Sequence, residues 1–474
     1  MTLFSYLRTI AQRHPEKRLL GDEAGWMTAS EVFRAVEGFG KTFTAAGLRR
    51  DDLAVLRAPR GLQTALLLFG LRAAGVTAVL TDPRQEIDEA LSECDARITP
   101  RARIELRSCE AISLQLDGKA VSLPAAGSPE VSLPETDAKD PAFVIFTSGS
   151  TGAGKAVVIS EYGLIVNLLD TRPLGYYSTE DIALGALPLH HVFGLVLLAG
   201  TAVLEYAEFF PEKTDVPSLL ACIEREGITR MNGVPSLYLA MADRREGYDL
   251  RSLRCGLIAG GPVTVEQFVR IERELEMTLI SVYGMSECVG ITCSSYRDPQ
   301  AVRAAGVGPA YPLNTIRLVD PDGREVPQGE VGEVCVRSPM RMLGYYGEPL
   351  PEDAFFATGD LGRLDETGVL HLSGRKKDII IRNGNNLSPR RIEEALLRLP
   401  EVRAAVVVGL PDERQGELPC AMIVGEADPE ALTPLLHKNE LPVGILAVEA
   451  LPMTASGKPD KQKIREVLLA WRNS

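Results

Sequence analysis

Residues 146–156, FTSGSTGAGKA, hold a dense set of groups suited to an anion. Gly149, Gly152 and Gly154 let the backbone turn tightly and expose its N–H groups. Thr147, Ser148, Ser150 and Thr151 add hydroxyl donors and Lys155 adds charge, which together is chemistry for holding a polyphosphate. Gly149, Gly154 and Lys155 also come close to the G-x-x-x-x-G-K-[ST] spacing of a P-loop. Two features reject that reading. Ala156 stands where the magnesium-binding hydroxyl belongs. Residues 156–159, AVVI, read as a strand, whereas a P-loop opens directly into a helix. The loop is therefore expected between two strands. A second basic concentration gathers Arg375, Lys376, Lys377, Arg382, Arg390 and Arg391 against only Asp378. Taken alone it fits either a solvated face or a local site for an anionic cofactor.

The elements that must position these groups alternate helix with strand over the first two-thirds of the chain. Thr28 and Glu31 have capping-box spacing before an apolar-periodic helix that closes near Gly47. A helix near 63–74 ends at Gly75 and feeds the β-branched run 76–81. The same pattern recurs at 218–231 and 265–283. Such alternation predicts the α/β class with a substantially parallel sheet. From about 307 to 373 short strands and turns predict a β-rich subdomain, with Asp320–Gly323 as one of its turns. A smaller α+β unit follows, with a helix at 389–399, strands at 404–408 and 421–424, and a terminal helix at 461–471. The expected domains are 1–376 and 377–474, joined by a short hinge at Lys377 rather than a Pro- or Ser-rich tether.

With 474 residues, 45% apolar and 24% charged, the chain has core material for more than one lobe. Its net charge of −13 disfavours a general binder of nucleic acid or membrane surfaces. The eight cysteines form no CxxC and no regular framework, so reduced thiols and a cytoplasmic location are expected. Two apolar runs, 65–80 and 183–204, are interrupted by Arg72 and Gly75, and by Pro188, His190 and His191; they read as core, with no membrane-spanning segment.

Five blocks in order give the chain a family resemblance. Residues 146–156 resemble the phosphate loop of the adenylate-forming superfamily, which includes acyl-CoA synthetases, nonribosomal adenylation domains and firefly luciferase. Residues 283–287, YGMSE, are similar to its YGxTE; residues 358–360 match its TGD; residues 374–378, GRKKD, resemble its hinge block; and residues 454–458, TASGK, match its C-terminal lysine loop. The resemblance implies a large N-terminal AMP-binding domain and a small mobile C-terminal one. It implies ATP-dependent activation of a carboxylic acid to acyl-AMP, with ATP, Mg²⁺ and coenzyme A as cofactors. Two anions must meet in that reaction, so a metal and positive donors are needed. Glu287 would hold Mg²⁺, with Thr147 as a second candidate ligand. Tyr283 would stack on adenine beside Gly284 and Ser286, above a floor of Gly260 and Gly261. Asp360 would bond the ribose hydroxyls, with Arg375 nearby, and Lys458 would bridge carboxylate and phosphate. Gly154, Ala156 and Pro262 depart from the family's usual residues without removing a charged group.

For the acid, residues 188–194, PLHHVFG, fall where the resemblance implies one wall of the acyl pocket. His190 replaces the aspartate with which amino-acid-activating domains pair the substrate ammonium, which disfavours α-amino acids. His191 with Phe193 resembles the histidine–aromatic pair of acyl- and aryl-CoA synthetases, and His191 joins Lys458 and Glu287 as a catalytic candidate. Val234, Ala259, Gly261, Gly290 and Ile291 complete an apolar or small lining, so a fatty or aryl acid is expected. Around Gly384 the chain resembles CoA-ligase versions of the hinge block, where a glycine leaves room for pantetheine. A carrier protein presents the same arm and is the alternative acceptor.

Overall fold

The computed structural model describes residues 1–94, 96–106, 112–121, 131–147, 154–453 and 459–472. It divides into two compact units. The first comprises Met1–Pro262, Glu266–Thr315 and Arg337–Ala354; the second comprises Val263–Val265, Ile316–Val336 and Phe355–Ser474. The stretch 307–373 is thus divided, with Ile316–Val336 and the part from Phe355 onward grouped with the C-terminal residues and the rest with the first unit, and Lys377 lies inside the second unit on the 3-10 turn Lys376–Asp378.

Two sheets build the first unit. One has eight strands, with Ile182–Leu184, Ala207–Phe209, Arg230–Gly233, Cys255–Ile258 and Thr278–Met285 running parallel and Cys288–Cys293 returning antiparallel. The other has nine and includes Leu53–Arg57, Thr77–Thr81, Pro141–Phe146 and Ala156–Ser160. The mixed α/β class read from the alternation holds.

Local signals act where the sequence places them. Thr28 caps the helix Ala29–Ala45: its hydroxyl accepts from the Glu31 amide at 3.3 Å, and the Glu31 carboxylate accepts from the Thr28 amide at 2.8 Å. The apolar runs are divided between strand and helix: the helix Leu62–Ala73 leads to the strand Thr77–Thr81, the strand Ile182–Leu184 precedes the helix Val192–Val203, and both helices are largely buried. Among the described residues no helix is long and apolar enough to cross a membrane. Arg72 is not a surface interruption. It is buried and paired with buried Glu161 at 2.8 Å, while Glu161 also accepts from the Leu3 amide at 2.8 Å. Removing one partner would strand a charge in the core at a cost of roughly 3–5 kcal/mol.

The second unit holds an antiparallel four-stranded sheet with Gly332–Arg337, Phe356–Leu364 and Leu370–Arg375. It also holds a five-stranded sheet in which Val402–Asp412 pairs with Gly416–Gly425. The helices Pro389–Leu397 and Lys461–Arg472 pack on the latter through Ile392, Leu396, Ile464 and Leu468.

Candidate active site

In the first unit, the strands Pro141–Phe146 and Ala156–Ser160 pair antiparallel, with Phe146 opposite Ala156. The segment after the loop is a strand, as the rejection of a P-loop required. The neck is closed by two reciprocal bonds: the Thr147 amide donates to the Lys155 carbonyl at 3.0 Å, and the Lys155 amide donates to the Thr147 hydroxyl at 3.3 Å. That bond engages one lone pair of the hydroxyl proposed as a second metal ligand. Ser148, Gly149, Ser150, Thr151 and Gly152 lie outside the described residues, as does Lys458.

The parallel strands of the eight-stranded sheet share a carboxyl edge, the usual location of ligand crevices in open α/β sheets. Along that edge follow His190 and His191 after Ile182–Leu184, Val234 after Arg230–Gly233, and Ala259, Gly260 and Gly261 after Cys255–Ile258. Tyr283 and Gly284 lie near the end of Thr278–Met285. Val234 and Pro235 pack beside Gly260 and Gly261. Tyr283 is buried, opposite Thr292 on the returning strand. Gly284 must be glycine, because a Cβ there would sit 2.3 Å from the Val289 carbonyl. Ser286 and Glu287 form the turn of that hairpin.

Glu287 is only 8% exposed. Its Oε1 accepts from the Tyr345 hydroxyl at 3.1 Å, and among the described residues no cation lies within ion-pair distance of it. A nearly buried carboxylate partnered by a neutral phenol suits a divalent cation, which would supply the missing positive charge. Burial, then the Glu287 carboxylate, raises the pKa of Tyr345, so the phenol keeps its proton and donates. Tyr345 escaped the sequence reading. The segment Met340–Tyr346 that carries it joins the two motifs. Met342 donates to the Glu287 carbonyl at 2.8 Å, Leu343 to Val158 at 2.8 Å and Tyr346 to Ala156 at 2.8 Å. Gly344–Tyr345 pairs antiparallel with Val157–Val158. The weak signal for it was residues 343–346, LGYY, whose adjacent tyrosines follow a glycine.

His190 and His191 face each other with ring centroids 4.5 Å apart. His190 Nε2 is 4.0 Å from Asp82, which Arg84 already holds through hydrogen bonds of 2.6 and 2.9 Å. Burial lowers the pKa of His190 against the opposing pull of Asp82, so the imidazole is neutral near pH 7. Phe193 packs against the buried cluster that includes Tyr176, Leu257 and Ile280. Gly290 and Ile291 lie deeper. A Cβ on Gly290 would meet Asn167 at 2.2 Å and the Tyr311 ring at 2.6 Å, and Ile291 is fully buried. Both residues are closely packed.

In the second unit Asp360, 8% exposed, lies opposite Arg375 in the strand pair, with Arg375 Nε 3.1 Å from its Oδ1. Thr358 anchors the turn by donating to the Val334 carbonyl at 2.9 Å and accepting from the Asp360 amide at 3.1 Å. Lys377 sits between two pinned neighbours: Lys376 pairs with Glu333 at 2.8 Å, and Asp378 with Lys461 at 2.7 Å. Gly384 and Asn383, at φ +75° and +51°, make the two-residue turn between Ile380–Arg382 and Asn385–Leu387. Positive φ at both positions is what a type I′ hairpin demands. The space around Gly384 is open: nothing lies within 4 Å of an added Cβ.

If Asp360 bonds the ribose hydroxyls as the resemblance implies, replacing it by Ala should weaken both ATP and AMP about 10-fold or more, through loss of charge-assisted bonds. Calorimetry on the two nucleotides checks this, and unchanged affinities would remove Asp360 from the nucleotide site.

Comparison with known proteins identifies the family. Residues 7–346 match the AMP-binding enzyme family, and residues 391–458 match the AMP-binding enzyme C-terminal domain. A feruloyl-CoA synthase of Amycolatopsis sp is 31% identical over 467 residues, covering 93% of each chain. A sulfoacetate–CoA ligase of Cupriavidus necator is 29% identical over 500 residues, covering 98% of this chain and 97% of the relative. The crystal structure of ATP-bound MatB from Rhodopseudomonas palustris aligns with a TM-score of 0.85 at 25% identity, over 98% of this chain and 99% of that one. The chain belongs to the AMP-binding enzymes of the adenylate-forming superfamily.

Proposed function

We propose that this protein is an AMP-forming acid–CoA ligase that uses ATP to activate an uncharged alkyl or aryl carboxylic acid as its acyl-adenylate, then passes the acyl group to coenzyme A. The observation that carries the reading is the joining of the strand-flanked phosphate loop to Glu287 by the segment Met340–Tyr346. A polyphosphate held at Lys155 and a metal held at Glu287 would thereby lie on one scaffold. A bound Mg²⁺ supplies charge neutralisation of the phosphates. The chain's own residues do the rest. The loop amides, hydroxyls and Lys155 hold the phosphates, Tyr283 and Gly260–Gly261 enclose the base, and Asp360 takes the ribose. Lys458 brings positive charge to the meeting carboxylate and α-phosphate. After adenylation, the Gly384 turn leaves room for the pantetheine thiol.

The acid is inferred from the charge state of the wall. His190 is neutral near pH 7 and the charge of Asp82 is spent on Arg84, so neither offers a free partner to a second ionised group. Uncharged acids should therefore turn over at least ~10-fold faster than α-amino acids or dicarboxylates. Acid-dependent pyrophosphate release, with and without coenzyme A, on a panel including ferulate, fatty acids, sulfoacetate and amino acids tests this. A preference for an amino acid would overturn the pocket reading. Activation without turnover by coenzyme A, but with transfer to a phosphopantetheinylated carrier, would change the acceptor.

A further inference from the structure

The proposed metal ligand and the proposed phosphate cation do not pair with each other in this structure. Among the described residues no ion pair joins Lys155 to Glu287. Tyr345 stands between them and serves both. Its hydroxyl donates to Glu287 Oε1 at 3.1 Å, and its ring carries the Lys155 ammonium 4.5 Å from the centroid. Its backbone is fixed by pairing with Val157 on the strand that follows the loop.

A lysine and a nearly buried carboxylate this close to a common side chain would otherwise collapse into an ion pair. That pair would then have to be broken before a nucleotide could use either charge. A phenol avoids the difficulty. The hydroxyl satisfies the carboxylate without neutralising it, and the ring face steadies the ammonium by cation–π attraction. We propose that Tyr345 is a positioning residue that holds Lys155 and Glu287 apart and uncompensated, so that each charge is available when nucleotide and metal arrive. The inference rests on the reading of Lys155 and Glu287 given under Proposed function.

Metal-free ATP is the probe, because its binding engages Lys155 without calling on Glu287 as a metal ligand. With the full chain in excess chelator, Tyr345→Leu should weaken ATP about 10-fold by calorimetry, since Lys155 is then drawn to Glu287. In the Glu287→Gln background no ion pair can form, and adding Tyr345→Leu should change the affinity by less than about 2-fold. Tyr345→Phe keeps the ring that carries Lys155 but loses the hydroxyl that satisfies Glu287, and should lose clearly less affinity for metal-free ATP than Tyr345→Leu. An equal loss from Tyr345→Leu in both backgrounds would mean that the tyrosine only supports local structure, and would overturn the proposal. So would a loss in Tyr345→Phe as large as that in Tyr345→Leu, and this arm stands even where the leucine variant does not fold. The metal reading fails by a different sign: Glu287→Gln would leave the strengthening of ATP binding by Mg²⁺ intact.

Discussion

Glu287→Gln is expected to lower acid-dependent pyrophosphate exchange by ~10²-fold or more while leaving the fold intact. The substitution is close to isosteric, and its amide oxygen can still accept from the Tyr345 hydroxyl. What disappears is the negative charge, the feature that makes this side chain a ligand for a hard cation. Stability should hold or rise slightly, because a nearly buried carboxylate with no cationic partner among the described residues is replaced by a neutral group. Loss of exchange with an unchanged melting temperature therefore separates a functional charge from a structural one. The half-saturating Mg²⁺ concentration should rise along with the fall in rate. Near-normal exchange at limiting Mg²⁺ would remove Glu287 from the metal site.

The second large effect separates the two half-reactions. Adenylation drives a carboxylate against an anionic phosphate, so it depends on a positive charge at the point of contact. Thiol attack on the finished adenylate has no such encounter and instead needs a clear path for the pantetheine arm. Lys458→Ala should then cut acyl-AMP formation by ~10²–10³-fold while coenzyme A attack on supplied acyl-AMP stays within a few-fold of the parent. Gly384→Trp should do the reverse. Its cost to the fold is confined to an exposed two-residue turn, where a side chain meets positive φ but no neighbour within 4 Å. Single-turnover measurement of each half-reaction decides the matter. Equal impairment of both steps by both variants would defeat the proposed hinge role of Lys377 and favour one fixed arrangement.

Much of this protein was determined by neighbours along the chain. The capping box at Thr28 and Glu31, the Asn383–Gly384 turn and the strand after the phosphate loop each depend on backbone conformations set within a few residues. That is why the loop could be read as strand-flanked, and why the α/β alternation was visible before any contact was known. The ordered blocks from Phe146 to Lys458 named the chemistry for a related reason. Holding phosphate, ribose and metal needs particular residue types, and these stand together in short runs.

Tertiary structure alone decided what depends on side chains meeting across long separations. The Tyr345–Glu287 bond spans 58 residues and the buried Arg72–Glu161 pair spans 89, so neither leaves a local pattern. Arg72 looked like an interruption in an apolar run because a sequence shows a charge but not its partner. Gly290 shows its small size in the sequence but not the neighbours that require it, Asn167 and Tyr311. Packing and charge pairing are properties of distance in three dimensions, and only the folded chain sets those distances.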